Sequence, residues 1–422
     1  MPIRIAVLLA LLLSAAGNAA PLYWWKQPDL HGGWEARLIN APADRCPEGT
    51  TVLSEPDKRF PVRLCHASLA QPVTIDGLGT VTPPAAVKRA VIVGDAGCES
   101  EDQDCSDPAQ WPFAQIATAI AKTNPDVIVH AGDFIYRGNC SLPVQQPKCV
   151  ENWAVWEADF FAPARPLLHG STWAFSRGNH EDCQRGGPGF ERFLGTGSTI
   201  CRLPPEPYVA HLPNLDLIML DTSYAPPYEI AENNANKLYR YTTYMNRLGA
   251  LSNREAWLVM HVPIWGFTNP SVDSGERYGS PILQEAVRAS DERQLPPNIS
   301  FLIAGHIHVW EVITWASSTS RPPILLSGNG GGGLSGKLIR PANGQLDGLP
   351  THAWGTNAQY GYMIVDAEEL PGGKTGWRVQ PIHKPWGEKN GYVCTFAGRT
   401  GTCAPPAPVI PKATQQPHSG RQ

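Results

Sequence analysis

Two aspartates, an asparagine, a tyrosine and three histidines sit in five short motifs spread along the middle of the chain. The motifs are Gly94-Asp95-Ala96-Gly97, Gly132-Asp133-Phe134-Ile135-Tyr136, Gly178-Asn179-His180-Glu181, His261 and Gly305-His306-Ile307-His308. Each follows an apolar run. Asp95, Asp133 and Tyr136 are oxygen donors, all anionic once the phenol ionises. They suit a hard, highly charged cation, and tyrosinate is an iron ligand. Asn179, His261 and His306 are neutral and suit a divalent ion such as Zn, Mn or Fe(II). Asp133 is the natural bridge, because a carboxylate has two oxygens to share. His308 would complete the first set and His306 the second, since alternate residues leaving a strand can be splayed toward two ions. With both ions bound the site keeps a net positive charge that attracts a phosphate ester. The ions also lower the pKa of bound water, so that hydroxide exists at mild or acidic pH to attack phosphorus in line. Two adjacent metals therefore point to phosphoester hydrolysis.

Around these donors stand further polar groups. His180 follows Asn179 directly and is placed to bind the phosphate or to protonate the leaving alkoxide; the alternative is a packing role behind the ligands. Glu181 either orients His180 or is a solvated turn charge. His352 is a weaker candidate for a substrate-side proton donor. His130, His169 and His211 have no partner pattern and read as structural. Trp265 and Trp310 are the tryptophans best placed to wall a pocket.

The elements that must position these groups follow from periodicity. Continuous apolar runs at 90–93, 126–130, 172–176, 215–220, 257–260 and 300–304 read as buried strands. Helical spacing covers 112–122, 153–161, 236–251 and 281–290. Then 309–315, 323–327 and 360–365 look like antiparallel sheet. The alternation followed by a run of strands predicts an α/β sandwich with mixed central sheets flanked by helices. In such folds ligands bind beyond the carboxyl ends of the strands, where these motifs fall. The glycine run 330–333 is either a substrate-side loop or a flexible turn.

Composition bounds the rest. The chain has 422 residues, 42% of them hydrophobic, enough for a sizeable core. Residues 1–19 read as a secretory leader, with Arg4 before a short apolar stretch and small residues at the cleavage site. That stretch falls short of the ~20 residues needed to span a bilayer. Ten cysteines in an exported chain predict disulfides between sequence neighbours: Cys46–Cys65, Cys98–Cys105, Cys140–Cys149, Cys183–Cys201 and Cys394–Cys403. Three of these loops start just after candidate ligands. The formal charge of −4, or −5 once Arg4 leaves with the leader, argues against a nucleic-acid or anionic-membrane partner and leaves a small phosphate ester. The expected organisation is a leader at 1–19, an irregular or short-stranded segment at 20–85, a catalytic domain at 86–388, a disulfide-closed segment at 389–403, and a disordered Pro-rich tail at 404–422. The location would be secreted or periplasmic. Asn139 and Asn298 head glycan-acceptor patterns.

At these residues the chain resembles the calcineurin-like metallophosphoesterases, over roughly residues 89–384, and within them a purple acid phosphatase. The general family opens with Asp-x-His, but Gly97 stands where that histidine would be. Purple acid phosphatases have Gly-Asp-x-Gly instead and a tyrosine three residues after the bridging aspartate, which is Tyr136. The resemblance implies Fe(III) held by Asp95, Asp133, Tyr136 and His308. It also implies a divalent metal held by Asp133, Asn179, His261 and His306, with His180 binding phosphate or donating a proton. The family's Val-x-x-His is Leu258-Val259-Met260-His261 here. The roughly 65 residues at the N-terminus are too few for the β domain of the plant-type enzymes. The expected activity is phosphomonoester hydrolysis at acid to neutral pH. The rivals are a phosphodiesterase or nucleotidase with the same metals, and a non-catalytic phosphate or metal binder.

Overall fold

The apolar runs become the inner strands of two facing sheets, and each is apolar throughout because both of its faces are covered. The computed structural model describes residues 20–137, 151–225, 234–267, 279–316, 320–335, 342–356, 359–384, 386, 388–389 and 392–404. One sheet has the order Thr400–Ala404, Val393–Ala397, Lys374–His383, Gly361–Leu370, Arg89–Val93, Val127–His130, Trp173–Phe175. The other runs Tyr208–Leu212, Leu215–Met219, Ala256–Val259, Ile299–Ala304, Ile324–Ser327, Trp310–Trp315, Leu349–Thr356, Ala342–Leu346. The last three strands of the first sheet are parallel, as are Leu215–Met219 through Ile324–Ser327 of the second.

Alternate residues divide the work. Ala90, Ile92, Val127 and Val129 of the first sheet share a core with Leu217, Trp257, Val259 and Phe301 of the second. Their sequence neighbours Val91, Val93, Ile128 and Trp173 face outward onto helix Phe113–Ala121 and the helical stretch 153–168. On the other side, Ile218, Leu258 and Leu302 lie under helices Ala235–Leu251 and Pro281–Ala289. The result is a helix–sheet–sheet–helix sandwich. Each fully buried Val, Ile or Leu contributes about 1.5–3 kcal/mol, so the strands are fixed in register and their carboxyl ends are held still.

Several elements differ from expectation. Ile324–Ser327 was expected in an antiparallel sheet, but it runs parallel to Ile299–Ala304 and antiparallel only to Trp310–Trp315. Gly361–Leu370 crosses back to lie antiparallel beside Arg89–Val93 in the other sheet. The helix expected at 153–161 changes to π-helical winding over Glu157–Phe161 and continues as Ala162–Leu168, with Pro163 in its first turn, where a proline is tolerated. In the 20–85 segment, expected to be irregular or short-stranded, residues 23–68 take the short-stranded form as a four-stranded antiparallel sheet. That sheet is tied to the body: Arg37 donates to the carbonyls of Phe193 and Gly195, and Gln27 to that of Leu194. Four expected disulfides are present, Cys46–Cys65, Cys98–Cys105, Cys183–Cys201 and Cys394–Cys403. The expected Cys140–Cys149 pair, the Asn139 sequon, the leader at 1–19 and residues 405–422 of the tail lie outside the described residues. Among the described residues no helix is long and apolar enough to cross a membrane.

Candidate metal centre

All seven expected donors come together at the carboxyl ends of the parallel strands, and they separate into two groups. In the first, the Tyr136 hydroxyl lies 3.2 Å from Asp95 Oδ1, 3.1 Å from Asp133 Oδ2 and 3.0 Å from His308 Nε2. In the second, Asn179 Oδ1 lies 2.9 Å from His261 Nε2 and 2.7 Å from His306 Nδ1. Asp133 Oδ2 also stands 3.2 Å from His261 Nε2. Two clusters that could hold a metal ion result: Asp95, Asp133 and His308, and Asp133, His261 and His306. The expectation of two shared oxygens on Asp133 changes in one respect. A single oxygen, Oδ2, faces both groups, because Oδ1 accepts the backbone N–H of His180 at 2.9 Å.

The donor set fits two cations. Two carboxylate oxygens and a ring nitrogen crowd the single Tyr136 oxygen, and one cation could bind all four. His261 Nδ1 donates to the Ala131 carbonyl at 2.6 Å and His308 Nδ1 to that of Gly333 at 2.5 Å, so both Nε2 atoms are left facing the clusters. Without a cation the chain supplies positive charge itself. Burial opposes protonation of His261, but Asp133 more than offsets it and pushes the imidazole up to about 9. His308 is likewise raised, against its burial, by Asp95 and Glu99. His306, with burial and His261 acting together, is lowered to about 3. Burial raises Tyr136, and Asp133 and Asp95 add to the effect. Entering cations would displace the protons on His261 and His308.

Backbone strain and close approach explain the glycines around the donors. Asp95, Asp133 and His306 have φ of 56°, 55° and 71°. This left-handed region is tolerated by Asp and His, and it recurs where a site is held against strain. A Cβ on Gly97 would stand 2.6 Å from Tyr136 Cδ2. The tyrosine ring fills the space that a side chain at 97 would need, so the two positions are complementary.

Five donors, Asp133, Tyr136, Asn179, His306 and His308, line a cleft of about 250 Å³ whose wall also includes His180, Glu99, Glu101 and Asp102. The His180 ring packs 4.3 Å from that of Tyr136 between centroids, and burial lowers its pKa to about 4. Other expectations are not met. His352 sits on strand Leu349–Thr356, with Thr314 as its register partner, and is not among the cleft-lining residues. Trp265 and Trp310 do not line the cleft and are 1% and 2% exposed, packed against Trp315 and His383 respectively. The 330–333 run is not an open turn: it wedges behind the site, with Gly332 N–H donating to Asp95 O at 2.8 Å. His130 keeps its structural reading, stacked on Phe134 at 4.0 Å.

Three acids around the site carry more than the sequence revealed. Glu181 is fully buried and does not touch His180. Its carboxylate accepts the N–H groups of Asp133 (3.1 Å), Phe134 (2.9 Å), Ile135 (3.2 Å) and Gly178 (3.1 Å). Glu99, on the loop closed by Cys98–Cys105, stands 3.1 Å from His308 Nδ1. Asp159, presented by the π-helical turn, accepts from Tyr136 N–H at 3.3 Å and from Arg137. Only Glu181 left a signal, its place in the Asn179 motif; the other two meet the site from distant turns.

Residues 88–310, a little over half of the chain, match the family model described as calcineurin-like phosphoesterase. No curated protein matches the chain.

Proposed function

The chain belongs to the calcineurin-like phosphoesterases, and from that premise we propose an exported dinuclear phosphomonoesterase working at acid to neutral pH. The metal-dependent phosphoesterase class comes with the family. The single observation that carries the finer reading is the pair of clusters meeting at one oxygen of Asp133 inside one cleft. In this reading Fe(III) would be held by Asp95, Asp133, Tyr136 and His308, and a Zn, Mn or Fe(II) ion by Asp133, Asn179, His261 and His306. The ions would supply Lewis acidity and acidified water. Asn179 and His180 contact the phosphoryl group. Burial keeps His180 neutral at mild pH, so it offers one ring N–H to a phosphoryl oxygen; the incoming anion raises its pKa and readies it to give a proton to the leaving alkoxide. Glu99, Glu101 and Asp102 on the wall repel leaving groups that carry further phosphates, which favours small monoesters over polyphosphates. His352 stays outside this scheme.

We take the catalytic unit to run over 86–388, beyond the family match, because Gly361–Leu370 and Lys374–His383 continue the sheet beside Arg89–Val93. Export is supported by four disulfides. The test is hydrolysis of a mono-aryl and a bis-aryl phosphate by protein loaded with iron and a divalent ion, with elemental analysis alongside. Turnover of the monoester at two metals per chain is expected. Full occupancy with no monoester turnover, or with the diester strongly preferred, would overturn the reading.

A further inference from the structure

The loop that forms part of the metal cleft's wall is strongly acidic. Residues 98–107 carry five carboxylates, at Glu99, Glu101, Asp102, Asp104 and Asp107, and no lysine or arginine. The five do different work. Asp104 takes the N–H and hydroxyl of Ser106, and Asp107 takes the N–H of Ala109, so these two shape their own turns. Glu99 stands 3.1 Å from His308 Nδ1. Glu101 and Asp102 are exposed and line the cleft, and neither has an ion-pair partner among the described residues.

This wall is held in place. Cys98–Cys105 closes the loop. Glu99 N–H donates to Gln103 Oε1 at 2.9 Å, and the N–H groups of Asp102 and Gln103 donate to the Glu99 carbonyl at 2.9 and 2.8 Å. The Gln103 side-chain amide reaches the Gly331 carbonyl at 3.0 Å, which anchors the loop to the glycine run behind Asp95. A binding surface fixed in advance loses less freedom when a ligand arrives. No opposite charge stands on the other walls: among the described residues no lysine or arginine lines the cleft. Two arginines follow donors closely in sequence, and both are paired. Arg185 donates to the Asn179 carbonyl and meets Asp182 at 3.1 Å, and Arg137 pairs with Asp159.

Charge then decides what the cleft admits beside the phosphoryl group. The acids by themselves hold nothing; the metal donors fix the phosphoryl group, and the rest of the ester extends along the cleft that Glu101 and Asp102 line. An anionic alcohol is repelled there, a neutral one gains nothing, and an ammonium meets two carboxylates that lack cations. Resting on the phosphomonoesterase reading, we propose that the substrates are phosphate monoesters of small amino alcohols, with Glu101 and Asp102 setting that preference. A cleft of about 250 Å³ exceeds the ~150 Å³ that holds a benzene ring, so it accommodates a phosphoryl group with a short aminoalkyl arm. The reaction is unchanged. Water adds to phosphorus, the P–O bond to the alcohol breaks, and inorganic phosphate and the amino alcohol leave, one proton of the water ending on the alcohol oxygen.

The probes are two phosphonates that resist hydrolysis, 2-aminoethylphosphonate and propylphosphonate, alike in size and different in the ammonium. Titration calorimetry on the metal-loaded full chain reads their affinities, and hydrolysis of phosphoethanolamine and of an aryl phosphate is followed alongside. The amine should bind about five-fold tighter or more, since one exposed charge pair is worth up to that factor. Changing Glu101→Gln and Asp102→Asn together should reduce the ratio of the two affinities about five-fold or more. Raising salt from about 0.05 to 0.5 M should shrink the wild-type ratio. Glu101→Lys should turn the preference toward 3-phosphonopropionate. Glu99 is left alone because it contacts His308. A wild-type ratio near one, a ratio unchanged in both variants, or no saturable binding of either phosphonate up to about 10 mM would overturn the proposal. Preference for the amine without turnover of any ester would remove the phosphoesterase reading and keep the wall's selectivity. Turnover of the aryl phosphate without that preference would remove the selectivity alone.

Discussion

Replacing Glu181 by glutamine removes no bulk and tests whether the carboxylate under the Asp133 loop is an ion. Its two oxygens have about four lone-pair sites, and four backbone N–H groups, at 2.9–3.2 Å, fill them. Burial and the Asp133 charge push this carboxyl up to about 8 in the metal-free protein, while the N–H groups of Phe134 and Ile135 oppose the push. With every lone pair taken there is no place for a proton, so we hold that Glu181 is ionised. A glutamine then turns an NH₂ group toward two of the four donors. Each buried N–H left without an acceptor costs about 1–3 kcal/mol, which gives a loss on the order of 2–6 kcal/mol, against a typical total stability of about 5–15 kcal/mol. The loss falls on the segment that holds Asp133 at a φ of 55°, so metal affinity should fall with it. The assay is thermal unfolding of metal-free wild type and Glu181→Gln by circular dichroism, with metal content measured after reloading. A drop of several degrees and incomplete metal occupancy are expected. If Glu181 were protonated in the fold, glutamine would mimic it closely. A metal-free variant melting within about 1 °C of wild type and still taking two metals would refute the reasoning.

Other perturbations read other parts of the structure. Glu311 is fully buried; one oxygen accepts Phe267 N–H at 3.0 Å and the other has no partner among the described residues. Burial pushes its pKa from 4.5 up to about 8, so the folded state holds the proton longer and stability declines as pH rises from about 4.5 to about 8. Glu311→Gln should flatten that decline, gaining on the order of 2–4 kcal/mol at pH 8 and nothing at pH 4, as measured by denaturant midpoints across pH. Removing Cys98–Cys105 by a double serine change frees the loop that brings Glu99 to His308; it should cost about 2–3 kcal/mol and weaken metal retention in a chelator competition. If Fe(III) is bound by the Tyr136 phenolate, the loaded protein should show a visible charge-transfer band that Tyr136→Phe abolishes; a colourless, iron-free and fully active enzyme would reject the iron assignment.

The donors were legible because each needs a particular chemistry at a particular place: an oxygen or nitrogen ligand one to six residues past a strand that is apolar on both faces. Periodicity located Arg89–Val93, Val127–His130 and Ala256–Val259, and the ligands followed from their ends. What supports the donors was not legible. Glu99 reaches His308 and Asp159 reaches Tyr136 across contacts that no local pattern encodes. The glycine run 330–333 gave no sign that it would be wedged behind Asp95, because a glycine needed for close packing and one needed for a turn look alike in sequence. Trp265 and Trp310 miss the cleft for a related reason. Nearness to a motif in sequence says little about which face of a strand a residue takes, and both face a packed core.

The division of donors between the sheets has an energetic consequence. Asp95, Asp133, Tyr136 and Asn179 follow strands of the first sheet, while His261, His306 and His308 follow strands of the second. Each cluster takes ligands from both: Asp95 and Asp133 with His308, and Asp133 with His261 and His306. Neither cluster can form until the apolar faces of the two sheets have closed on each other, so binding is restricted to the folded state, and whatever binds there stabilises the sandwich by mass action. The same closure buries Asp95, Asp133 and His261 at the base of the cleft, where the carboxylates favour protonation of His261 and His308 in the metal-free chain. The core therefore crowds the donors together, and a pair of cations would offset that crowding. Three of the seven donors, Asp95, Asp133 and His306, have positive φ as well.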